Sequence, residues 1–198
     1  MIKKILIYSF LIITSILTLI PFMWMIGASF MFDGKASVFP PIFLPDPFTL
    51  TQYQILFERL NVWRNFFNSL LLSSMVTILY ITFTSMAGYA FAKYRFAGKK
   101  VLFNLLLSSM IIPSQVTMLP LFLLLKSMGF INTYMAIIIP GLANIFGIFL
   151  IRQYCLSIPD SLIEAARMDG ATDFQVYRKV ILPLAVPILV TLAIFSFL

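Results

Sequence analysis

Long runs of apolar residues with no ionisable side chain inside them restrict this chain more than any other feature. Residues 5–32 read ILIYSFLIITSILTLIPFMWMIGASFMF, and further runs follow at about 66–92, 101–125 and 134–151. About 20 such residues cross the roughly 30 Å of hydrocarbon in a bilayer. No water is available there to pair with backbone N–H and C=O groups, so each run is expected to satisfy them within its own helix. Hydrophobic residues make up 61% of the chain and charged residues 11%, with a mean hydropathy of +1.01. An ordinary soluble domain carries about a quarter charged residues. The expected fold class is therefore all-α, a polytopic transmembrane helical bundle. With no internal repeat or low-complexity tract, residues 1–198 read as a single membrane domain.

The first run follows Lys3 and Lys4 and reads as a span rather than a cleaved signal peptide, whose apolar core would be shorter and would end at a small-residue cleavage site. Residues 33–65 hold Pro40, Pro41, Pro45 and Pro47 and read as an extended loop. Within it, LTQYQILFERL is expected to form a short interfacial helix, with Trp63 near the membrane surface. The second run ends at the basic loop KYRFAGKK. The third is interrupted by Pro113 and Pro120, with Gln115 between them, and is expected to face protein rather than lipid, because proline leaves backbone carbonyls in need of other partners. The fourth contains Pro140, Gly141 and Asn144. A fifth run starts at Leu184 and reaches Leu198 after 15 residues, less than a full crossing, so the chain is expected to be part of a longer protein.

Lysine and arginine concentrate on the cytoplasmic side of membrane proteins. The N-terminus and the segments 93–100 and 152–183 carry two, four and four of them, against three in 33–65 and one in 126–133. Ten against four places the N-terminus and 152–183 in the cytoplasm.

The net charge of +7 does not point to nucleic acid, because the basic residues sit at the ends of apolar runs rather than along one face. The chain has no histidine and one cysteine, Cys155, which excludes an internal disulfide, the common His/Cys metal sites and Ser-His or Cys-His catalysis. No catalytic, metal or cofactor-binding residues are expected. An ion-driven carrier generally needs ionisable groups within its spans, and the four complete runs have none away from their ends. Gly98-Lys99-Lys100 lacks the earlier glycine and the Ser/Thr of a phosphate-binding loop. Energy for active transport would have to enter from a partner.

The polar segment 152–183, RQYCLSIPDSLIEAARMDGATDFQVYRKVILP, is the obvious contact. Pro159 suits a first helical turn, and Asp160 would lie at the positive end of the helix dipole. Gly170 can end that helix in the left-handed conformation. Thr172 and Gln175 have the spacing of a capping box that starts a second helix, expected to stop or kink at Pro183.

Glu164-Ala165-Ala166, Gly170 and Val180-Ile181-Leu182-Pro183, at these spacings between two spans, resemble the EAA loop of importer-type ABC transporter permeases, which usually has isoleucine where Val180 stands. PFMWMIGASF, NFFNSL, AGYAFAKYRFAGKK, SMIIPSQVTMLPLF, FGIFLIRQ and IPDSLIEAARMDGATDF are similar to the carbohydrate-importer branch, in particular to the maltose-transporter-like second permease subunit. That resemblance implies a permease of six spans in a bacterial or archaeal cell membrane. It implies as partners two ABC ATPase subunits, which would carry all ATP hydrolysis, a second permease subunit and an extracellular solute-binding protein. The substrate implied is a sugar or sugar-like solute.

By the same resemblance, Leu162, Ile163, Glu164, Ala165, Ala166, Arg167, Asp169 and Gly170 would form the ATPase coupling helix. Leu162 and Ile163 would be buried in the partner, and the small Ala165 and Ala166 would allow close approach. Glu164 is either an ionic contact with the ATPase or a solvated carboxylate; Arg167 and Asp169 either pair with neighbours or are solvated. Asn104, Ser108, Ser109, Gln115, Thr117 and Asn144 are candidates for a solute path, because sugars are read by hydrogen bonds. They could equally hydrogen-bond between helices. A membrane-anchored scaffold that docks a cytoplasmic partner without moving solute is the alternative function.

Overall fold

A computed structural model describes residues 2–142 and 144–198. All regular structure among them is helical. The residues fall into two compact units, one ending at Phe66 and the other comprising Phe67–Leu198.

In the first unit, α1 (Ile2–Ser29) holds Pro21 within it and is followed by a 3-10 turn at Lys35–Ser37 and by α2 (Thr51–Arg59). The short helix expected within 33–65 is α2. An aromatic group closes this unit: Phe30 stacks on Phe48 with ring centroids 4.6 Å apart and lies 5.5 Å from Tyr53. The Tyr53 hydroxyl donates to Ser29 Oγ at 2.9 Å, and the Thr49 N–H donates to the Phe30 carbonyl at 3.0 Å.

The second unit takes up α3 (Val62–Lys93) from Phe67 onward, then α4 (Lys99–Ser109), α5 (Ser114–Ser127), α6 (Met135–Gly141) and α7 (Ile145–Ser157). The polar segment gives α8 (Asp160–Met168) and α9 (Asp173–Leu184), and α10 (Val186–Phe197) follows. Its core gathers Tyr80 and Tyr89 of α3, Ile151 and Cys155 of α7, Ile163 of α8, Val176, Tyr177 and Ile181 of α9, and Leu192 of α10. Glycines bring α3 and α7 together. A Cβ on Gly88 would lie 2.6 Å from Ile151 Cβ and 3.1 Å from the Arg152 backbone nitrogen, and one on Gly147 would lie 2.8 Å from Thr84 Cγ2. Small residues allow this close approach of backbones in membrane helices.

Three stretches among the described residues are long and apolar enough to cross a membrane, Lys3–Ser29, Val62–Lys93 and Met135–Ser157. There are five if each of two bent helix pairs counts as one span. The third expected run is one of these pairs: α4 and α5 meet at 103°. Three successive i→i−3 bonds, from the N–H groups of Met110, Ile111 and Ile112, tighten the end of α4, and Pro113 caps α5. Proline disfavours the helical conformation in the residue before it, so the turn falls at Pro113. Pro120 lies inside α5 without breaking it.

The other pair corrects the expectation for Pro183. α9 runs past this residue to Leu184 and the 79° bend comes at Ala185. Residues Tyr177–Ile181 form a π turn, and the Leu182 N–H reaches five residues back to the Tyr177 carbonyl. Widening the helix just ahead of Pro183 shifts the bonding register, which is how the ring is accommodated. The fourth run is also longer than expected, since α7 continues to Ser157 and takes Arg152–Ser157 out of the polar connection.

Candidate functional site

The helix pair α8–α9 is built from short-range chemistry. Pro159 occupies the N-cap of α8 at φ −60° and ψ 135°, one position earlier than a first-turn proline, and Asp160 opens the helix. At its end Gly170 has φ 84°. The Gly170 N–H donates to the Arg167 carbonyl and the Ala171 N–H to the Ala166 carbonyl, both at 3.0 Å. These two bonds define a Schellman ending, which needs a left-handed residue where the glycine stands. Two residues on, the Gln175 N–H donates to Thr172 Oγ1 at 3.3 Å and the Thr172 N–H to Gln175 Oε1 at 2.8 Å. The capping box expected from the sequence is thus present.

Two ion pairs fix the helices further. Arg167 Nη2 donates to Asp173 Oδ1 at 2.8 Å, tying α8 to α9. Lys93, the last residue of α3, donates to Asp160 Oδ1 at 2.5 Å and to the Ile158 carbonyl at 2.6 Å. The hydrogen bond from Lys93, followed by its charge, holds the Asp160 carboxyl below its usual range. The hydrogen bond to Asp173, followed by that carboxylate's charge, raises the Arg167 guanidinium. A buried bond of 2.7 Å between the hydroxyls of Ser85 and Tyr177 anchors the π turn to α3.

The coupling residues do not share one fate. Leu162, Glu164, Ala165, Arg167, Asp169 and Gly170 are exposed and Ala166 is half-buried. Ile163 is buried in the core with Tyr89, Val176 and Tyr177. It differs from the expectation of a partner contact: its side chain holds α8 to its own chain. Met168, which the sequence reading passed over, is 86% exposed on the same helix. Its cue was the M-D-G run at the helix end, which carries an apolar side chain beyond the last packed turn. Glu164 lines a cavity of about 570 Å³ together with Lys93, Arg95, Lys99, Asp160 and Arg167. The carboxylate therefore looks onto a basic recess of its own chain.

The six solute-path candidates are exposed but are not brought together. Ser108 donates to the Asn104 carbonyl, Ser109 to the Leu106 carbonyl and Thr117 to the Ser114 carbonyl, at 2.9, 2.7 and 2.8 Å. Gln115 Oε1 accepts from Ser114 Oγ at 3.4 Å. Asn144 caps α7, accepting from the Gly147 N–H at 3.2 Å. It lines one cavity, with Tyr80, Phe195 and Ser196, while Asn104 lines another between α4 and α7. Among the described residues no cluster of His, Cys, Asp or Glu could hold a metal ion.

Apolar spans joined by a braced helix pair define a polytopic membrane protein. Residues 81–198 match the family described as binding-protein-dependent transport system inner membrane component, and the chain belongs to that family. Its relatives include permeases of carbohydrate transport systems. It is 39% identical over 154 residues to the arabinooligosaccharides transport system permease protein AraQ of Halalkalibacterium halodurans, covering 77% of this chain and 55% of the relative. It is 29% identical over 193 residues to the diacetylchitobiose uptake system permease protein NgcG of Streptomyces coelicolor, covering 96% of this chain and 64% of that one. The chain thus spans little more than half the length of the AraQ protein. A crystal structure of a bacterial ABC transporter involved in the import of the acidic polysaccharide alginate matches with a TM-score of 0.87 and 28% identity, over 99% of this chain and 69% of the matched one.

Proposed function

We propose that this chain is a permease subunit of an ATP-driven importer for a sugar or sugar-like solute, coupled to its ATPase through α8. The observation that carries the reading is the bracing of α8. A Schellman ending, two ion pairs and buried Ile163 hold the helix to α3 and α9, while Leu162, Ala165 and Met168 are left outward. A helix held in this way can pass a displacement to the spans; a loosely attached one would absorb it.

Burial of Leu162 and Met168 in a partner would contribute roughly 1.5 to 3 kcal/mol each. Moving a two-state equilibrium from 1:99 to 99:1 needs about 5.5 kcal/mol of differential binding. One docked helix is of that order, counting only the contact energy that differs between the two states. The assembly we propose has two ABC ATPase subunits, a second permease and an extracellular solute-binding protein, with ATP hydrolysis on the ATPases. The chain lies in a bacterial or archaeal cell membrane with its N-terminus and α8 in the cytoplasm. Sugar transport systems among the relatives support the solute class.

The test is reconstitution of the complex in vesicles with Glu164→Lys or Gly170→Asp. Loss of ATP-dependent uptake together with weaker retention of the ATPase is the expected result. Normal uptake and retention in both variants would sink the coupling role, and retention of the ATPase by a wild-type complex that moves no solute would favour a scaffold.

A further inference from the structure

A cavity of about 770 Å³ opens between the start of α4 and the end of α7. It differs from the recess under α8 in one respect that decides its chemistry: no carboxylate lines it. In the recess under α8, Lys93 pairs with Asp160 and Arg167 with Asp173, and Lys99 lines both that recess and this cavity. Lys99, Lys100 and Arg152, which line this second cavity, have no ion-pair partner among the described residues.

Two of these cations are held in place. Lys99 Nζ donates to the Ala92 and Tyr94 carbonyls at 3.2 and 2.8 Å. Arg152 Nε donates to the Phe91 carbonyl at 3.2 Å, and its guanidinium carbon lies 4.2 Å from the centre of the Phe103 ring. Lys99 still has a third N–H and Arg152 its remaining guanidinium N–H groups to offer. Lys100 is exposed. Below the cations the wall turns apolar, with Phe103, Leu107 and Phe149. Asn104 lies one turn along α4 from Lys100.

Unbalanced positive charge above an apolar wall, where a membrane helix begins, has the layout of a lipid head and the top of its acyl chains. Basic pockets between membrane helices attract acidic headgroups for this reason. The Lys99 N–H that opens α4 pairs with the Phe96 carbonyl, and the helix dipole adds positive potential at the same end.

We propose that this cavity binds an anionic phospholipid, with Lys99, Lys100 and Arg152 around the phosphate, Asn104 on the glycerol ester and the aromatic wall against the upper acyl chain. The site fastens α4 to α7 through the lipid and is separate from the docking face of α8. It depends on α4 lying in the membrane but not on the coupling role.

The test is titration of the purified, delipidated full chain, read by native mass spectrometry, without ATP or solute. The probes are dioleoyl phosphatidylglycerol, dioleoyl phosphatidylcholine and inorganic phosphate. Phosphatidylglycerol is expected to bind at least about tenfold more tightly than phosphatidylcholine, since each nearby cation favours an anionic surface by a factor of about five. Lys100→Gln, at an exposed side chain, is expected to lower phosphatidylglycerol affinity about fivefold and leave phosphatidylcholine unchanged. Lys179→Gln, on α9, should change neither. Equal affinity for the two lipids would overturn the proposal, as would an unaffected Lys100→Gln variant or an equal loss in Lys179→Gln. Full displacement of the lipid by inorganic phosphate would assign the cations to a free anion instead.

Discussion

Lys93 and Asp160, 67 residues apart in sequence, join two elements through one charged hydrogen bond, and Lys93 also donates to the Ile158 carbonyl just ahead of α8. Because this pairing depresses the folded-state pKa of Asp160, its contribution is fully present above the ordinary carboxylate range and is lost as pH falls through the depressed value. The Asp160 carboxyl carbon, followed by NMR, is expected to titrate below the ordinary Asp value of about 3.9, and Lys93→Met is expected to return it to that range. An unchanged midpoint in the variant would remove Lys93 as the cause. The residues legible in the sequence were those whose partners lie within a few positions: Gly170, Thr172 and Gln175 each act on backbone groups close by. The tie to Lys93 and the burial of Ile163 depend on where α3 comes to rest, and local spacing carries no trace of that.

Helices were readable as apolar runs, and their ends and breaks only in part. Pro113 and Pro120 look alike in sequence, yet only Pro113 marks a break, because it follows a helix end already closed by i→i−3 bonds. Pro183 is absorbed by a π turn that no composition signal announces. The contact between α3 and α7 was equally silent, although Gly88 and Gly147 mark it. Gly88→Val would place its Cβ within 3 Å of the Ile151 side chain, which cannot move freely because it is 1% exposed. Such overpacking typically costs about 1 to 3 kcal/mol. A lower melting temperature of the purified protein in a fixed detergent is expected for Gly88→Val, with a smaller drop for Gly88→Ala. Equal stability of all three proteins would mean that the helices do not approach as closely as described.

For the molecule as a whole, the uneven distribution of lysine and arginine predicts the orientation that the proposed coupling requires, since an ATPase can reach α8 only from the cytoplasm. The same distribution predicts opposite sides for two exposed positions, Ala97 between α3 and α4 and Ser37 ahead of α2. Cys155 is fully buried, so it should give little background with a membrane-impermeant maleimide. In intact cells Ser37→Cys is expected to label and Ala97→Cys to remain unlabelled. In inside-out vesicles the pattern should reverse. If Ala97→Cys labelled from outside, the segment between α7 and α10 would lie outside as well, because an even number of crossings separates the two in the five-span reading. Glu164 and Met168 would then face a compartment without ATP, and α8 could not serve as the coupling helix whatever its geometry.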